Sequence, residues 1–83
     1  MSTSQSVNSY SQQIQQNTNA GTAASADYIV SNNNGTASTY YGDFGITSAA
    51  FNQAGENVTN NPNTVYLQSV TADLAIGTVT SGK

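Results

Sequence analysis

The sequence predicts a mainly β fold: a small antiparallel sandwich or barrel-like domain with a polar, extended N-terminal arm. Three observations lead there. Short runs rich in β-branched and aromatic residues recur along the chain, at 27–30, 39–46, 64–69 and 74–80. Clusters of Asn, Gly, Ser and Pro separate them, as turns require. No segment carries the full stripe of apolar residues that an amphipathic helix needs.

Residues 1–9 are Ser, Gln, Thr and Asn with a single Val after Met1. They bring too little apolar surface to offset the entropy of ordering, and read as an arm. Residues 10–83 then form one β-rich module. Tyr10 and Ile14 stand four apart, a spacing that suits one helix face and also one strand face. With no further anchors for a helix, the stretch 10–19 reads as a strand. Residues 19–22 read as a turn, with Thr22 capping a single helical turn through 23–25. Asp27-Tyr-Ile-Val30 is the next strand. The pair Asn34-Gly35 favours a type I′ hairpin turn, because both residues tolerate positive φ. Residues 39–46 follow as a strand, with Tyr41, Asp43 and Gly45 on one face and Tyr40, Gly42, Phe44 and Ile46 on the other. Its interior glycines point to a bulge or a close backbone approach.

Residues 47–63 read as a long connection, held to the core by Ala49, Ala50 and Phe51 and stopped by Asn60-Asn-Pro-Asn63. Residues 64–69 make a clear strand, 70–73 a turn, and 74–80 a final strand. The expected core is Ile14, Tyr28, Val30, Tyr40, Phe44, Ile46, Phe51, Val65, Leu67, Leu74 and Ile76. Burying one such side chain is worth about 1.5–3 kcal/mol, so alanine at Phe44 or Leu67 is expected to threaten the fold.

Composition narrows the function. Nearly half of the 83 residues are Ser, Thr, Asn or Gln, and the charged fraction is 6%, against roughly 25% in ordinary soluble domains. Solubility rests on amides and hydroxyls. The net charge is −3 and Lys83 is the sole cation, so nothing here releases counterions from a phosphate backbone, and nucleic acid is not an expected partner. No apolar run approaches the roughly 20 residues of a membrane span, so no membrane insertion is expected. The start of the chain lacks the basic and apolar regions of a secretory signal. So small a chain, without cysteine, buries a modest core, and packing against copies of itself is the expected remedy.

Chemistry has few candidates. Without His, Cys or an interior Lys, no Ser or Thr has an ordinary activating base, and the chain does not read as an enzyme. Asp27, Asp43 and Asp73 each precede an aromatic or apolar residue. They could form a paired acid site or, with Asn carbonyls, a calcium site. The preferred reading is that each accepts backbone N–H groups at a strand end or turn. The Asn32-Asn-Asn-Gly35 loop is a hairpin turn before it is a sugar-binding tip. Of Tyr40 and Tyr41, strand alternation puts one in the core and one on the surface. Asn34-Gly-Thr36 and Asn57-Val-Thr59 match the glycosylation sequon, but glycosylation is not expected without an export signal. Gln12, Gln13, Gln15 and Gln16 read as a plain polar strand or linker. No catalytic, cofactor-binding or metal residue is assigned, and no cofactor.

Three blocks carry a resemblance. They are Gln16-Asn-Thr-Asn-Ala-Gly-Thr-Ala-Ala-Ser-Ala-Asp-Tyr-Ile-Val30, Gly35-Thr-Ala-Ser-Thr-Tyr-Tyr-Gly-Asp-Phe-Gly-Ile-Thr-Ser48, and Val65-Tyr-Leu with Ala72-Asp-Leu-Ala-Ile-Gly-Thr78. In this order and spacing they resemble a β-rich structural module of tailed-phage virion proteins, found in tail fibres, head fibres and decoration subunits. The resemblance covers roughly residues 12–82. It implies a virion structural protein, made in the host cytoplasm, that acts by self-association, with a trimer the first expectation. It also implies anchoring to neighbouring virion proteins through the arm, and it brings no catalytic residues. Such modules continue past a Gly-Lys pair into another apolar strand, so a closing strand is expected from another subunit or a longer chain. The alternative function is a carbohydrate-binding, receptor-recognition module of a phage tail protein or adhesin, with a surface glycan as partner.

Overall fold

The computed structural model describes residues 4–55 and 60–83. Within them the chain is all-β, built on one antiparallel sheet of three strands: β1 (Ser25–Ser31), β2 (Tyr41–Thr47) and β3 (Val65–Val70), in the order β1-β2-β3. The runs expected at 27–30, 39–46 and 64–69 are these strands, shifted by a residue or two. Register is continuous across both pairings. Tyr28 stands opposite Phe44, which stands opposite Leu67; Ala26, Ile46 and Val65 form the next row.

Two expected strands are absent. Residues 10–19 are irregular, with Tyr10 86% and Ile14 76% exposed. Residues 74–80 are irregular too, with Leu74, Ile76 and Val79 exposed. Both have the alternation of a strand, but a strand needs a neighbouring strand for its ladder, and neither stretch joins the sheet. The mainly β class holds, and among the described residues the three strands make one sheet that is not closed into a sandwich or barrel.

The turns follow local amide chemistry. Asn17 Oδ1 accepts from Asn19 N (3.1 Å), Asn19 Oδ1 from Gly21 N (2.7 Å) and Asn32 Oδ1 from Asn34 N (2.9 Å), each side chain mimicking a backbone turn. Thr22 caps no helical turn: Ala24 N bonds Gly21 O at 3.2 Å and β1 starts at the next residue. Nor is Asn34-Gly35 the centre of a type I′ turn. Gly35 N bonds Asn32 O at 3.0 Å, so Asn33 and Asn34 are the central pair, neither with positive φ. Gly35 serves by its lack of a side chain, since a Cβ there would meet Ser31 Cβ at 2.6 Å. Residues 32–40 form a long loop, and Tyr40 enters β2 from a left-handed φ of 55°.

The larger departure concerns which face is closed. The row Ser25, Asp27, Tyr41, Asp43, Gly45, Thr47, Tyr66 and Gln68 faces the connection between β2 and β3. There lie Tyr66, Asp43 and Thr47, respectively 7%, 7% and 4% exposed, and Tyr66 is the one buried apolar residue among those described. The opposite face carries most of the expected core and is open: Tyr28, Val30, Phe44, Ile46, Val65 and Leu67 are between 44% and 73% exposed. Tyr40 is 40% exposed. Phe51 alone of the expected core turns to the closed side, half-buried.

Candidate functional site: an open apolar sheet face

β-branched and aromatic side chains at alternate positions hold the strands extended, and alternation sends those side chains to one side. Register then gathers them. Tyr28, Phe44 and Leu67 form one row across three strands, with Ala26, Ile46 and Val65 beside it. Val30 extends the patch on β1. Gly42, its partner on β2, adds no side chain, so a hollow opens between Tyr28, Val30, Phe44 and Leu67. This hollow holds about 510 Å³ and is bounded at one end by Tyr40 and Leu74. A second, of about 230 Å³, lies between Tyr28, Phe44, Ile46 and Val65, with Gln15 at its margin. Tyr28 and Phe44 line both.

The strand residues of this face include no carboxylate and no amine, and Asp73 borders the hollow only at its end. From their fractional exposures, the six large residues leave on the order of 700 Å² open, taking 150–250 Å² for each aromatic. A single soluble chain rarely exposes a contiguous apolar patch beyond about 300–600 Å². One side of a standard protein interface is about 800 Å². The patch therefore has the size and composition of an interface rather than of ordinary surface.

The closed face explains why the apolar one is left over. The connection after β2 is polar and docks by hydrogen bonds. Thr47 Oγ1 donates to Asn61 O (2.6 Å) and accepts from Thr64 N (2.9 Å). Ser48 Oγ donates to Gly21 O (2.7 Å), Asn52 N to Thr22 O (2.8 Å), and Gln53 N to Asn60 Oδ1 (2.5 Å). Groups that need partners find them on the side where strand ends and turns offer carbonyls.

On this closed side the sheet brings together two of the three candidate aspartates. Asp27 on β1 and Asp43 on β2 are diagonal neighbours, sharing a hollow of about 250 Å³ with Phe51, Gln53, Tyr66 and Gln68. Tyr66 Oη donates to Asp27 Oδ2 at 3.3 Å. Burial, and then the charges of Asp27 and Asp43, push the Tyr66 hydroxyl up to about 12, since both disfavour the phenolate. Asp73 lies apart, at the end of the apolar hollow. Among the described residues no group of three or more His, Cys, Asp or Glu is placed to hold a metal.

The remaining candidates are dispersed. Asn32 to Asn34 sit exposed on the loop after β1, and Asn34 belongs to the first sequon. The second sequon, Asn57-Val-Thr59, and Glu56 lie outside the described residues. Neither Tyr40 nor Tyr41 is core: Tyr40 edges the apolar hollow and Tyr41 lies half-buried on the polar side. Gln15 Nε2 donates to Asp27 O (3.0 Å) and Asn17 Nδ2 to Ser25 O (2.9 Å), along the outer edge of β1. Tyr66 was not expected in the core. Its signal was present in the alternation, since Val65 and Leu67 force it to the other face, but it faces Asp and Gln neighbours that hide an interior. No helix among the described residues is long and apolar enough to cross a membrane. Compared with protein-family models, curated proteins and solved structures, the chain finds no match.

Proposed function

We propose that the protein is a virion structural subunit of a tailed phage, a fibre or head/tail decoration module that works by self-association and by anchoring to neighbouring virion proteins. The observation that carries the self-association is the apolar face of the sheet, open in the single chain and with no charged side chain on its strands. Sister sheets packed on it gain the interior that one chain lacks. Two sheets face to face lie about 10 Å apart with interdigitated side chains, and that arrangement restores the sandwich expected from the sequence out of separate chains. A three-fold arrangement of sheets around an axis buries the same residues and agrees with the expected trimer. The virion setting draws support from the amide- and hydroxyl-rich composition and from the three-block resemblance.

Sedimentation velocity at micromolar concentration tests the association: discrete oligomers are expected for the native chain and monomers for Phe44→Asp. Antibodies against the chain test the setting. They should decorate purified particles of the phage that encodes it, and failure to find the chain in particles would refute the virion assignment.

A further inference from the structure

The two margins of the sheet are not alike. Beside β1, the amides of Gln15 and Asn17 already donate to the outward carbonyls of Asp27 and Ser25, at 3.0 and 2.9 Å. Beyond β3 no strand lies among the described residues. The β3 sequence, Val65-Tyr-Leu-Gln-Ser-Val70, has no charge and no proline, and its pairing with β2 has no bulge. These are the devices with which proteins blunt an exposed edge, and β3 has none of them. It offers a row of backbone groups ready to receive another strand.

The chain also holds a stretch with the pattern of a strand and no place in the sheet. In residues 10–17, Tyr10 and Ile14 share one face and polar residues fill the other positions. Both are more than three-quarters exposed. At about 3.3 Å per residue the stretch spans about 25 Å, enough to run the length of six-residue β3. It cannot serve its own β3, because Gln15 and Asn17 hold it at the β1 margin, on the far side of the sheet. It is offered outward instead, to a neighbour.

We propose that residues 10–17 of one chain lie along the outer edge of β3 of a sister chain as a fourth strand, setting Ile14 on the apolar face beside Val65 or Leu67 with Tyr10 four residues along the same face. This rests on the self-association reading and names one of its contacts. Main-chain hydrogen bonds supply the attachment, and the alternate apolar side chains set which face turns inward. The contact is heterologous, residues 10–17 to edge, so successive chains close into a ring or continue as a filament according to the rotation between them.

The native chain has no cysteine, so introduced pairs report cleanly. Ile14→Cys chains are mixed with mass-tagged chains carrying Val65→Cys or Leu67→Cys, oxidised, and weighed as intact disulfide-linked species. The expected result is an Ile14-to-tagged-chain link at least tenfold above that from Gln13→Cys, whose side chain projects to the opposite face. Sedimentation of the unmodified chain is run alongside. Oligomers without the link, or with equal links from positions 13 and 14, overturn the contact of residues 10–17 with β3 and leave self-association standing. A monomeric native chain overturns both.

Discussion

At the scale of single residues, Tyr66 and Gly45 decide how the closed face is built. Gly45 on β2 leaves the space into which Tyr66 and Asp27 reach. A Cβ at that position would meet Ala26 O at 2.5 Å and Tyr66 Oη at 2.8 Å, and would collide with Asp27 Cβ. Gly45→Ala should therefore destabilise the sheet by about 1–3 kcal/mol, as overpacking does, read from the midpoint of urea denaturation. Tyr66 gives a pH signature. Its hydroxyl titrates at about 12 in the folded chain against an ordinary 10, so above pH 10 the unfolded chain loses this proton first. The stability from the neutral hydroxyl is complete below pH 10 and is lost as pH rises from 10 to 12. Tyr66→Phe removes this contribution, and its denaturation midpoint should fall less steeply than that of the native chain across that window. Identical slopes would show that neither burial nor the carboxylates raise the titration of this hydroxyl.

At the scale of elements, the connection between β2 and β3 is held by a hydroxyl clasp. Thr47 is 4% exposed and its Oγ1 joins Asn61 O and Thr64 N. Thr47→Val keeps the shape and leaves both backbone groups without that partner, which should cost about 1–3 kcal/mol. Hydrogen exchange should quicken at Thr64 while the central residues of β2 stay protected. The three strands were legible in the sequence because each joins β-branched or aromatic residues to turn-forming flanks. Asn60-Asn-Pro-Asn63 stopped the connection where expected, and Asn63 takes a left-handed φ of 54°. The runs at 10–19 and 74–80 misled because alternation describes a strand's faces and says nothing of its partner. The identity of the closed face misled for a related reason. Hydrophobicity singles out Tyr28, Phe44 and Leu67 as material for an interior, and they do lie together. Whether that interior is filled by the same chain depends on what folds over it. Here the covering segment is polar and follows the hydrogen bonds to the other side. The candidate site was therefore legible as a set of residues, while its openness was not.

At the scale of the whole molecule, the chain is too open to stand as a finished globule. Its radius of gyration is 15.8 Å, where a compact chain of this length has roughly 12 Å. Residues 10–19 and 74–80 lie outside the sheet, and their apolar residues Tyr10, Ile14, Ile76 and Val79 are exposed. The same surplus appears on the sheet, and under the proposed self-association the missing interior lies between chains. In a dissociated chain Phe44→Ala should cost less than about 2 kcal/mol, because about half of the ring is already open to water. On the proposed reading, the larger loss expected from Phe44→Ala falls on the assembly. Sedimentation velocity of the native chain beside Phe44→Asp, at micromolar concentration, tests this most directly. The account predicts a discrete oligomer for the native chain and a monomer with unchanged strand content for the variant. A native chain that sediments as a single, folded monomer would contradict it.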